Sequence, residues 1–168
     1  AEVFVLVAIP KYAALALKAA ADQGWKPNVV MTSVAVDQSL FALAGGPQNV
    51  EGVISDDFSV PAESGDPSIQ PVKDLLDKYA PNTQLARFPV NGYIMGQMMV
   101  DVLKRAGVNP TRQSLLDAAE SFKDYSVPQL VPGIKLNSSK TDHYLIKSVK
   151  LLKAQGGKFV YFGDVLSG

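Results

Sequence analysis

Hydrophobic positions in this chain fall either in unbroken runs or in helical stripes, and each switch between the two marks an element. Val3 to Ile9 is a nearly continuous apolar run rich in β-branched residues, which predicts a strand covered on both faces. Pro10 stops it. From Lys11 or Tyr12 to about Gln23 the chain is rich in Ala and Leu, the composition with the lowest helix cost, and Gly24 closes the helix as a C′ residue. Asn28 to Ser33 is a second short run. Strand, helix and strand make a βαβ unit with a right-handed crossover. Ligands of such sheets gather outside the carboxyl ends of the strands. The loops Ile9-Pro10-Lys11-Tyr12 and Thr32-Ser33-Val34-Ala35 are therefore the candidate site.

Asp37 to Ala44 predicts a short helix with Asp37 at its N-cap, ended by Gly45-Gly46-Pro47. Asn49 to Phe58 predicts a third strand, with Gly52 a bulge or a close backbone approach. Ser59 to Pro71 is rich in proline and small polar residues and predicts a crossing segment. Three helical patterns follow. Val72, Leu75, Leu76 and Tyr79 form one stripe. Phe88 to Ala106 is apolar over most of its circumference, which predicts a largely buried helix capped by Gly107, with Met95, Met98 and Met99 as core filler. Leu115, Leu116, Ala119 and Phe122 form the third stripe, with Thr111 as N-cap. From Lys123 the chain becomes extended again, with a short strand at Ile134 to Leu136. Tyr144 to Lys153 and Lys158 to Phe162 flank Gln155-Gly156-Gly157, a hairpin signal. Two Pro-rich stretches, Ser59–Pro71 and Lys123–Gly133, bracket the helical block.

Composition narrows the function classes. A hydrophobic fraction of 47% with 19% charged residues describes a globular chain long enough for a real core. Sixteen basic residues balance sixteen acidic ones, so no basic excess marks a nucleic-acid partner. No apolar run reaches transmembrane length. The absence of cysteine excludes disulfides and thiol catalysis, and the single histidine, His143, excludes any metal site built on two. The chain begins at a strand without an initiator Met or an apolar leader, which suggests a processed chain or a fragment.

No phosphate loop, nucleophile elbow or dinucleotide fingerprint is present. Lys11 reads as a solvated first-turn lysine, or as an anion contact through the adjoining backbone N–H groups. Tyr12 either stacks on a ligand or covers the sheet. Asp56 and Asp57 are adjacent in a strand and point to opposite faces, so a solvated strand end is the better reading than a shared proton or a metal. Thr141-Asp142-His143 reads as a turn. No cofactor is indicated.

Four ordered stretches resemble the C-terminal half of type I periplasmic substrate-binding proteins of the branched-chain amino-acid (Leu/Ile/Val) class, which serve ABC transporters. They are Lys18-Ala19-Ala20-Ala21-Asp22-Gln23-Gly24-Trp25, Leu43-Ala44-Gly45-Gly46 with Val50-Glu51-Gly52-Val53, Asn91-Gly92-Tyr93 through Gly107, and Gly133-Ile134, Thr141-Asp142-His143 and Gly156-Gly157-Lys158-Phe159-Val160. The resemblance implies an α/β fold of this type: a parallel βαβ sheet, a helical block and C-terminal antiparallel strands, incomplete as a two-lobe fold. It divides the chain into a second-lobe region at 1–59, a hinge crossing and first-lobe helices at 60–130, and hinge and second-lobe strands at 131–168. It makes hinge strands of the two Pro-rich stretches. It implies a periplasmic or extracellular binding component, not an enzyme, without cofactor. Its partners would be a small-molecule ligand, an inner-membrane ABC permease, and the missing N-terminal half or a second copy of the chain.

The second-lobe ligand contacts would be Ile9, Pro10, Tyr12, Ser33 and Val34. Amino-acid-binding members carry an acidic residue in the loop after the second strand, where this chain has Thr32-Ser33-Val34-Ala35. A ligand without an α-ammonium group, such as an aliphatic or aromatic carboxylate, is therefore expected. A ligand-sensing domain on the same fold is the alternative. An enzyme using Lys11, Tyr12 or Asp56 is a third reading, without any nucleophile–base pairing to support it.

Overall fold

The computed structural model describes residues 1–168. In chain order the elements are β1 (Val3–Leu6), α1 (Pro10–Asp22), β2 (Asn28–Met31), α2 (Ser39–Leu43), β3 (Ile54–Asp57), α3 (Gln70–Tyr79), α4 (Arg87–Ala106), α5 (Arg112–Ala119), β4 (Ser148–Gln155) and β5 (Lys158–Ser167). The chain forms two compact units. One contains Ala1–Asp57 and Lys150–Leu166, the other Phe58–Val149 and Ser167–Gly168.

The first unit is built on a five-stranded sheet in the order β1-β2-β3-β4-β5. β1, β2 and β3 run parallel, with Val5 beside Val30 and Val30 beside Ile54, and β4 returns antiparallel to β3. Pro10 belongs to the helix rather than ending the strand. At the first helical position its missing N–H is no loss and its fixed φ suits the turn. Helix α1 ends as the sequence predicts. The Trp25 N–H donates to Ala20 O and the Gly24 N–H to Ala21 O, both at 2.9 Å, with Gly24 at φ 68°. This paired closure satisfies two carbonyls that the helix leaves open. The hairpin between β4 and β5 turns on Gly156 and Gly157, at φ 60° and 80°, conformations open mainly to glycine.

Ala13, Ala14 and Leu17 of α1 and Leu40 and Phe41 of α2 pack with Leu6, Met31, Leu152 and Phe159 into one core. That core covers one face of the sheet. Along β1, exposure alternates with the pleat, and Val5 keeps 65% of its surface in solvent. The expectation of a strand covered on both faces is thus corrected, because α1 and α2 lie on the same side and nothing in this unit lies over Val3 and Val5. The third strand is also shorter than expected. Pro47–Asn49 form a 3-10 turn and Gly52 sits at φ 84° in a further turn, so regular pairing starts at Ile54. Gly52 still makes a close backbone approach, donating to Ala154 O at 2.9 Å.

The second unit packs α3, α4 and α5 around Val72, Val90, Ile94, Met98, Val102, Phe122, Leu130, Ile134 and Leu136. Thr111 caps α5 in a reciprocal box with Ser114. Helix α4 departs from the expected burial. Its apolar residues form two stripes, and only Val90, Ile94, Met98 and Val102 are inside. Phe88, Met95, Met99 and Leu103 face solvent, so of the three methionines only Met98 is core filler. The expected strand at Ile134–Leu136 reduces to a single bridge between Leu136 and Tyr125.

The chain leaves the first unit after Asp57, returns at Lys150 and leaves again after Leu166. The Lys123–Gly133 stretch lies wholly in the second unit, where Val60 N–H donates to Gln129 O and Val131 N–H to Phe58 O. Residues 131–149 likewise lie there, so the units are cut differently from the segments 1–59, 60–130 and 131–168.

Candidate functional site

The carboxyl ends of the parallel strands are formed by Val7 to Tyr12 after β1, Thr32 to Val36 after β2, and Asp57 at the end of β3. Ile9 is the N-cap of α1. Its extended backbone and its carbonyl, which accepts from Tyr12 N at 3.1 Å and Ala13 N at 3.0 Å, turn the chain from strand to helix. Pro10 follows at N1, and Tyr12 is left exposed in the first turn. Ser33–Ala35 form a 3-10 turn held by Ala35 N–H on Thr32 O, while Thr32 N–H completes the β1–β2 ladder on Leu6 O, each at 3.0 Å. Ala35 is fully buried, whereas Val34 projects into solvent. This turn packs against α1 and β3, so the two predicted loops are neighbours in one layer. Below them the buried Ser55 hydroxyl donates to Met31 O at 2.8 Å, tying β3 to the last residue of β2.

The fold brings Ile9, Pro10, Tyr12, Ser33 and Val34 to one end of one sheet. Val7, which precedes them, is more exposed than any of them and was not anticipated; its place inside a continuous apolar run hid it. Asp37, anticipated as the N-cap of α2, instead stands one residue before the N-cap Gln38, where it accepts from Ser39 N at 2.9 Å and from the Ser39 hydroxyl. Asp56 and Asp57 do diverge. Asp57, however, is buried and engaged rather than solvated at the strand end, and Asp56 lies on the opposite sheet face beside Leu151. No group of acids and His is arranged to hold a metal ion.

His143 meets Glu120 at 3.0 Å, and Asp142 pairs with Lys147. The Lys147 hydrogen bond, then the Tyr144 N–H, hold the Asp142 carboxyl below the usual range. These are turn contacts without a nucleophile. Two grooves lie elsewhere. One of about 460 Å³, lined by Trp25, Lys26 and Glu51, opens at the amino end of β2. One of about 610 Å³ runs along α4 over Gly92 and Gly96 toward Tyr125. Burial, then the Asp101 charge, push the Tyr125 phenol upward, so it stays neutral there.

The parallel strands β1, β2 and β3 thus present polar and apolar loops at their carboxyl ends, where sheets of this kind take ligands. The chain belongs to the periplasmic binding protein family, whose model matches residues 1–158. Its fold is that of the type I periplasmic binding proteins, in incomplete form. It is similar to a branched-chain amino-acid ABC transporter protein from Thermus thermophilus with bound valine, at 21% identity and a TM-score of 0.82, over 98% of this chain and 46% of that one. A leucine-binding protein from Thermotoga maritima matches at 18% identity and 0.73, over 99% and 45%. A fatty-acid ABC transporter substrate-binding protein from Thermomonospora curvata matches at 25% identity and 0.76, over 98% and 43%. The chain thus spans less than half the length of these solved proteins. No curated protein sequence matches it.

Proposed function

We propose that this chain belongs to an extracytoplasmic solute-binding component of an ABC importer. The family match over residues 1–158 carries the reading. The exposed, hydroxyl-bearing and apolar loops at the carboxyl ends of β1 and β2 supply the local chemistry that it needs. Ile9, Pro10, Tyr12, Ser33 and Val34 contact a small organic acid or amino-acid-like solute on one side. A second lobe, from the remainder of the protein, closes over the other side by hinge motion and presents the complex to an inner-membrane permease. The solved relatives take either amino acids or a fatty acid by their descriptions, which supports a solute with an aliphatic part.

The protein performs no chemistry on the solute in this reading. Calorimetry should show saturable binding of a small organic solute, with the solute recovered unchanged after prolonged incubation. A solute returned chemically altered, in amounts exceeding the protein, would overturn it.

A further inference from the structure

The groove of about 460 Å³ at the amino ends of β2 and β3 lies at the opposite end of the sheet from the loops that follow β1 and β2. Its size falls in the range of small-molecule sites, and its anatomy is theirs as well, an apolar floor with a few polar groups around it. Leu17, Ala20 and Val53, all buried, form the floor. Trp25 forms a wall. Its indole is held in place, with Nε1 donating to Ala1 O at 3.1 Å and the ring centred 5.0 Å from that of Phe4, yet 37% of the residue stays in solvent. The face of an indole attracts cations.

The polar groups of the groove present mostly oxygen. Glu51 is fixed through Oε2, which accepts from Gly156 N at 3.0 Å, and its Oε1 has no protein partner. Asn49 commits its amide nitrogen to Ala44 O at 2.8 Å and Gln48 commits its own to Gly45 O at 3.0 Å, so each keeps an amide oxygen without a donor. The last turn of α1, with Ala20 and Ala21 on the groove, adds the negative end of the helix dipole. Against these acceptors stands one charged donor, Lys26, exposed and tied to no carboxylate.

We infer that this groove is a second binding site, separate from the solute loops, for a small organic cation of the arylalkylamine class. The ammonium group is held by the Glu51 carboxylate and the Trp25 face, and the hydrocarbon part lies on Leu17, Ala20 and Val53.

Trp25 is the single tryptophan, so indole fluorescence excited clear of tyrosine reports this groove alone, whatever the association state of the chain. Titration of the purified chain with phenethylamine, phenethyl alcohol, hydrocinnamate and phenylalanine tests the inference. Phenethylamine should change the emission saturably at the lowest concentration, with the alcohol roughly three- to tenfold weaker and hydrocinnamate weaker still. Glu51→Gln keeps an oxygen for the Gly156 N–H while removing the charge, and should bring phenethylamine to the level of the alcohol with circular dichroism unchanged. Lys26→Met, at an exposed position, should tighten phenethylamine roughly twofold by removing a like charge. An alcohol that matches the amine, or an amine indifferent to both substitutions, would remove the cation. Hydrocinnamate or phenylalanine binding more tightly than the amine would give the recognition to Lys26 and overturn the ligand class. No probe changing the emission at millimolar concentration would remove the site.

Discussion

Tyr12 and Leu17 lie less than two turns apart on α1 and illustrate how burial divides function from stability. Leu17 is almost fully enclosed, so Leu17→Ala should cost about 2–5 kcal/mol in urea unfolding through lost transfer energy and a residual cavity. Tyr12 is exposed, and Tyr12→Ala should stay within about 0.5 kcal/mol of the parent while weakening solute contact. A solute affinity unchanged by Tyr12→Ala would remove that side chain from the site. Asp142 supplies a pH signature. Its folded-state carboxyl is held below the ordinary value by Lys147 and the Tyr144 N–H. Its contribution is therefore present above the unfolded-state pKa and is lost as pH falls through the lowered folded value. Asp142→Asn should lower stability slightly at neutral pH, where the contribution is present, and converge with the parent in strong acid, so that the acid limb below about pH 4 is flatter; an identical profile would show that the pair is inert.

At the scale of elements, the signals that the sequence carried well were local ones. Gly24 closing α1, Thr111 capping α5 and Gly156-Gly157 turning the hairpin each rest on one residue's backbone freedom or one side chain's reach. What depends on neighbours was less legible. The Val3–Ile9 run reads as a buried strand by composition, yet its cover depends on how many helices reach each sheet face, and α1 and α2 reach only one. The pattern of α4 shows an all-round apolar helix without showing which stripe finds a partner. The position of the candidate loops at the strand ends was legible because strand ends are set by the βαβ pattern, whereas the exposure of Val7 was hidden inside that same pattern.

Two glycines separate backbone need from mere occupancy. Gly24→Ala should destabilise by about 1 kcal/mol, since φ 68° costs an L-residue energy although open space surrounds the added Cβ. Gly92→Ala lies in a helix interior with nothing within 4 Å of the new methyl, and should stabilise by about 0.5–1 kcal/mol. Chemical denaturation measures both. A destabilising Gly92→Ala would mean that another surface already packs against that face of α4.

For the molecule as a whole, the exposed apolar surface is the dominant physical fact. In the first unit Val3, Val5 and Val30 lie bare on a sheet whose parallel strands ordinarily require cover on both faces. In the second, Phe88, Met95, Met99 and Leu103 form a solvent-facing stripe along α4 beside one that is fully packed. Each Å² of apolar surface left in water forgoes about 25 cal/mol, so these faces favour association over a dispersed monomer. The cover would come from an N-terminal half, if the protein has one, or from a second copy. The purified 168-residue chain should therefore self-associate in sedimentation velocity at micromolar concentration, and Met99→Glu, charging the middle of the α4 stripe, should shift it toward monomer without lowering helix content. Association that survives Met99→Glu but is lost with Val5→Glu would assign the contact to the sheet face. A monomer that melts in one cooperative transition, with both faces bare, would overturn the expectation that this chain needs a partner.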